Sequence, residues 1–210
     1  MADTDVLTGV LITAVGIVLV YDDDKSEIGN TIRDELLRRL IPCAVSRDRE
    51  LVKFALAVVS YMDAAGDEDF APLDSDCILL ADREALCDPK QKHGELRRVI
   101  SRIEDVFLLK YGFDPYTVVK GAVFDSFECS RYIGRRFYLP TIEKLIIRVL
   151  ALSRENYVNA ATIHKFCLRS DVKVSTVTVH INKMNLRAYM CSPIKLISSK
   201  RLRGYYITKG

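Results

Sequence analysis

The sequence contains no C-x-x-C pair, and its three histidines, His93, His164 and His180, form no cluster with its six cysteines. That spacing offers no tetrahedral ligand set, so no metal site is expected. The cysteines (Cys43, Cys77, Cys87, Cys129, Cys167, Cys191) are widely scattered. No secretory signal accompanies them, which favours reduced thiols in a cytoplasmic protein. There is no Walker loop, no dinucleotide-type glycine pattern and no Ser/His/Asp set. These absences argue against an enzyme and against a resident cofactor. Pro-, Ser- or Gly-rich linkers, low-complexity tracts and internal repeats are also missing, so any domains are joined tightly.

One long uncharged run is present, the fifteen residues Val6–Val20. It follows Met-Ala-Asp-Thr-Asp, whereas a signal peptide needs a basic n-region. It is also shorter than the roughly 20 apolar residues of a membrane helix, and Thr8, Gly9, Thr13 and Gly16 interrupt it. It reads as two buried strands, or one strand with an extension, broken near Gly16.

Charge divides the chain more sharply than its overall +3 suggests. Residues 1–115 hold 14 Lys+Arg against 23 Asp+Glu, a balance of −9; residues 116–210 hold 17 against 5, a balance of +12. An acidic half joined to a basic half predicts two domains with separate tasks, 1–113 and 114–210. The basic half suits a polyanion.

The richest pattern lies in the last third. Val174, Val177, Ile181, Met184 and Ala188 recur at steps of three and four, the mark of one apolar helix face. Thr176, His180, Lys183 and Arg187 recur in the same way on a second, cationic face. An apolar run, a basic tip (Lys200, Arg201, Arg203), Gly204 and an aromatic run then predict a β-hairpin. A donor-bearing helix followed by a basic hairpin suits a helix in the DNA major groove and a wing on the backbone. Candidate DNA contacts are Thr176, Thr178, His180, Asn182, Lys183 and Arg187 on the helix, and Lys200, Arg201 and Arg203 on the hairpin.

Before it, Gly16–Tyr21, Pro42–Ser46, Leu56–Met62 and Cys77–Ala81 read as strands. Ser26 caps a helix through Leu40, and Gly94–Tyr111 is a long amphipathic helix ended by Gly112–Pro115. Solid apolar strands alternating with helices predict an α/β layer with a mostly parallel sheet. Beyond Pro115, Val118–Phe127 and Tyr132–Tyr138 read as short antiparallel strands. Pro140-Thr141 opens one helix, and Asn159 caps another through Leu168.

Three features give residues 117–208 a resemblance to the winged-helix output domain of OmpR-type response regulators. They are Tyr138-Leu139-Pro140-Thr141 with Glu143 behind it, the pattern V-x-V-H-I-x-[KR]-[LM] at Val177–Met184, and the terminal Arg201-Leu202-Arg203-Gly204-Tyr205-Tyr206-Ile207. Thr178, Asn185 and the run R-L-R-G-Y depart from the family pattern, and bear on the target sequence rather than the fold. The first half is similar to a receiver domain that has lost its chemistry. Asp22–Asp24 after a strand resembles the cation-binding acidic pair. Ser60 stands where the phosphoacceptor belongs, Ala81 where a hydroxyl belongs, and no Lys-Pro pair precedes the last helix.

The resemblance implies a truncated flavodoxin-like pseudo-receiver followed by a winged helix. The expected function is that of a transcription regulator independent of aspartate phosphorylation. Its expected partners are double-stranded DNA, a second copy in a homodimer, and RNA polymerase. Asp22–Asp24 could hold Mg²⁺, but acids at a helix start are favoured without any metal, and no acceptor accompanies them. The alternative is a protein-interaction module whose basic face is incidental. Phosphoacceptance at Asp63 or Asp22 is a distant third reading.

Overall fold

The computed structural model describes residues 7–21, 27–51, 53, 77–78, 92–115, 117–119, 138–153, 157–191 and 195–208. Asp22–Asp24, Ser26, the strand candidate Leu56–Met62 with Ser60, Asp63, Ala81 and residues 120–137 of the expected antiparallel strands lie outside them. The chain is mixed α/β and divides into two units, Met1–Lys110 and Tyr111–Gly210.

In the first unit the uncharged run folds as a hairpin of β1 (Leu7–Thr13) and β2 (Gly16–Tyr21). Only Ala14 and Val15 separate the strands, so they must run antiparallel; a parallel crossover needs a dozen residues or more. Thr13 Oγ1 closes the turn by donating to the Gly16 carbonyl at 2.9 Å. Helix α1 (Glu27–Arg38) then leads to β3 (Cys43–Ser46), which pairs parallel with β2. Strand β4 (Cys77–Ile78) pairs antiparallel with β1, giving the order β3-β2-β1-β4. The expectation of a mostly parallel sheet is therefore corrected: among the described strands only the β2–β3 pairing is parallel, and β1 runs against both of its neighbours. A solid apolar run reports burial and not strand direction.

Ile17, Leu19 and Val20 of β2 are fully or almost fully buried with Ile32 and Leu36 of α1 and Ile103 and Phe107 of α2 (Lys92–Tyr111). Buried Arg33 ties α1 to the sheet, its Nε donating to the Cys43 carbonyl at 3.1 Å. Arg39 pairs with Glu104 of α2 and with Glu35 of its own helix. Helix α1 ends with Leu40 in the left-handed region (φ 62°). Ile41 N–H donates to the Leu36 carbonyl and Leu40 N–H to that of Leu37, a Schellman pair. Burial pushes the Cys43 thiol far above the usual range, which leaves it inert.

In the second unit residues 117–119 are helical, where the start of a strand was expected. Pro115 at a first helical position explains this, since its fixed φ is set for a helix start. Helix α3 (Thr141–Leu152) is buried nearly all round, and so forms the middle of its unit. Helices α4 (Ala160–Cys167) and α5 (Ser175–Cys191) pack against it, followed by the hairpin β5 (Ile197–Lys200) and β6 (Gly204–Ile207). Val158, between α3 and α4, adds a single bridge to β6: its N–H donates to the Tyr205 carbonyl at 3.0 Å and its carbonyl accepts from Tyr205 N–H at 2.9 Å.

Gly204 makes that bridge possible. Its φ is +118°, and a Cβ there would sit 2.4 Å from the Val158 carbonyl oxygen. Gly204→Ala is expected to lower stability by about 2–3 kcal/mol through backbone strain and the clash. Urea unfolding of the variant checks this; an unchanged midpoint would mean that the hairpin does not press on Val158.

Candidate nucleic-acid interface

Helix α5 is positioned from three sides. Of its expected apolar stripe, Val177, Ile181, Met184 and Ala188 are buried, whereas Val174 lies just ahead of the helix and is 42 % exposed. Ahead of it, His164 of α4 reaches the Val172 carbonyl with Nε2, which must carry the hydrogen because a carbonyl only accepts. Asn159 caps α4, its side chain accepting from Thr162 N–H at 2.7 Å. Behind α5, the amide of Asn185 clamps β5 twice: Nδ2 donates to the Ile197 carbonyl and Oδ1 accepts from Ile197 N–H, both at 2.8 Å. Thr178 Oγ1 meets the Tyr205 hydroxyl of β6 at 3.0 Å.

The third contact is electrostatic. Glu143, in the first turn of α3, has its side chain only 2 % exposed. Arg187 of α5 donates to its Oε2, and His180 Nδ1 lies 3.5 Å from its Oε1. The positive end of α3 adds to the field holding this carboxylate. Among the described residues, His180 Nδ1 and Arg187 Nε are themselves buried without a hydrogen bond.

This geometry divides the cationic stripe read from the sequence. His180 and Arg187 turn inward to Glu143, and Thr176 is half-buried. Lys183 alone of the four is exposed, and Thr178 and Asn182 are exposed beside it. Of the nine candidate contacts, His180 and Arg187 are thus held by a buried carboxylate instead of standing free on one face. Lys200, Arg201 and Arg203 are exposed at the hairpin tip. Lys200 and Arg203 both lie over the Tyr157 ring, at 5.9 and 5.8 Å, and Tyr157 packs edge-on against Tyr206. Between the arginines Leu202 is fully exposed with φ 65°. Tyr205 and Tyr206 of β6 are both half-buried.

Sequence reasoning missed Glu143 and Asn185 as organising residues. Asn185 was visible as a departure from the family pattern, and its amide has the paired donor and acceptor that a strand end needs. It also missed how apolar the outward face of α5 becomes toward its end, where Leu186, Tyr189 and Met190 are 64 %, 67 % and 80 % exposed.

No family model, curated protein or solved structure matches this chain. Among the described residues no helix is long and apolar enough to cross a membrane.

Arg187→Ala leaves the Glu143 carboxylate buried beside one histidine. Breaking a buried pair from one side costs about 3–5 kcal/mol. With Arg187 partly exposed, the lower end of that range is expected. The combined Glu143→Leu and Arg187→Leu variant should recover most of the loss. A denaturation double-mutant cycle measures this; additive losses would show that the two residues are not coupled.

Proposed function

We propose that this chain is a duplex-DNA-binding regulator whose second unit is a winged helix of the OmpR type. The observation that carries the reading is charge: residues 157–191 and 195–208 contain nine Lys+Arg and one carboxylate, Asp171. Those cations include Lys183 on the outward face of α5 and Lys200, Arg201 and Arg203 at the hairpin tip. The order α3, Val158, α4, α5, β5, β6, with Val158 bridged to β6, suits a winged helix. In such a module the start of α5 enters the major groove and the tip meets phosphates.

The first unit is proposed as the regulatory part, a divergent pseudo-receiver. Its β2–α1–β3 segment, with parallel pairing, is compatible with a receiver. Beside β2, however, β1 lies antiparallel where the flavodoxin-like order 2-1-3-4-5 would place a third parallel strand. A homodimer is part of the same proposal, with Leu108 and Leu109 exposed on α2 as apolar positions for a partner.

A second reading, contact with a protein, draws support from Leu186, Tyr189 and Met190. Solvent-facing apolar groups late on α5 suit a protein surface better than a phosphate backbone. Salt separates the two readings, because neutralised phosphates release counterions and protein contacts do not.

The full chain is expected to retard duplex DNA with affinity that falls steeply as salt rises. Arg201→Ala should weaken all sequences alike and reduce the log–log salt slope by about one. Titration of labelled duplexes at several salt concentrations tests this, and binding that ignores salt would remove the proposal.

A further inference from the structure

We infer that the start of α5 reads A·T pairs: Asn182 takes adenine, and Val179 packs on a thymine methyl group. The inference rests on the DNA-binding reading and assigns chemistry to its base-facing residues. Val179, an apolar side chain in the second turn of α5, is 49 % exposed on the face opposite the buried stripe. Asn182 and Lys183, three and four residues on, are exposed. At those spacings the three side chains form one patch on the helix surface. The patch lies one turn into α5, beside the Thr178–Tyr205 contact that holds this end of the helix to β6.

The chemistry of the patch is selective. A carboxamide presents a donor and an acceptor side by side. The adenine edge in the major groove offers the complement, the N7 acceptor and the N6 donor. Guanine offers two acceptors there, so one half of the amide would face a like dipole. Valine can make no hydrogen bond, and the thymine methyl is the apolar group on the major-groove edges. Lys183 is a bare donor with no acceptor, suited to guanine or a phosphate, and does not duplicate Asn182. Charge names the occupant: cations outnumber carboxylates nine to one over residues 157–191 and 195–208, which fits a polyanion edge-on to this patch.

The test uses the full chain and begins with selection of bound duplexes from a random pool. A motif containing at least one fixed A·T pair is expected. Replacing its thymines by uracil one at a time removes single methyl groups. At one position this should weaken binding about fourfold, the free energy of burying one methyl-sized group. The same replacement should have no effect on Val179→Ala. Asn182→Ala should lose roughly 5- to 150-fold of the discrimination for adenine at one position, with binding to unrelated duplexes unchanged. Both variants alter exposed side chains, and unchanged melting temperatures confirm that they fold. Salt-sensitive binding with a motif lacking A·T, or with uracil fully tolerated, overturns the base assignment and leaves DNA binding standing. Absence of any salt-sensitive duplex binding overturns both.

Discussion

The second unit depends on one buried carboxylate. Glu143 sits in the first turn of α3, almost wholly removed from water, and takes Arg187 and His180 from α5. An unpaired carboxylate in such a place would cost several kcal/mol, so the two helices can pack only in the rotation that brings Arg187 to it. His180 and Arg187 lie seven residues apart, two turns along the same flank. The Arg187 hydrogen bond, with His180 Nδ1 3.5 Å from the other carboxylate oxygen, constrains the angle of α5 about its own axis as well as its distance from α3. The apolar stripe alone would fix the rotation less tightly, because hydrophobic burial is non-directional.

Rotation fixed in this way determines what faces solvent. With His180 and Arg187 turned inward, the outward arc of α5 carries Thr178, Val179, Asn182 and Lys183, then Leu186, Tyr189 and Met190. The hairpin is locked to the same helix through the double amide clamp of Asn185 on Ile197 and through Thr178 on Tyr205. Gly204 lets β6 approach Val158, so the other side of the hairpin is anchored at the start of α4. The basic tip and the outward face of α5 therefore belong to one rigid arrangement. Few degrees of freedom are left to order on binding, which lowers the entropic cost of docking a shaped surface.

Much of this unit was legible in the sequence. The step of three and four that begins at Val174 gave helix and core face together from Val177 onward, Asn159 marked a helix start by its capping chemistry, and Pro140-Thr141 marked another although Pro140 makes no side-chain cap hydrogen bond. The basic tip beside Gly204 marked the hairpin. Glu143 was not legible as an organiser, since carboxylates are rarely fully buried and their sequence neighbours do not announce it. For the same reason His180 and Arg187 read as surface cations: periodicity places them on a flank, and only the opposing helix decides whether that flank is wet. In the first unit, burial of Ile17–Val20 followed from composition. The direction of β1 lay instead in the length of the Ala14-Val15 connection, which a solid apolar run conceals.

The outward face of α5 is also graded along its length, and the gradient bears on how the helix can be used. Its first half presents hydroxyl, amide and ammonium groups around one valine, and the positive end of the helix dipole adds to their attraction for an anion. Its second half presents Leu186, Tyr189 and Met190, where the dipole turns negative and the last turn of the helix carries no basic residue. A phosphate backbone running the whole length of the helix would meet favourable groups at the start and apolar carbon at the end. The two halves of the outward face therefore offer different chemistry, polar and cationic at the start of the helix and apolar at its end, and the double clamp of Asn185 on Ile197 holds the hairpin at the point where one gives way to the other.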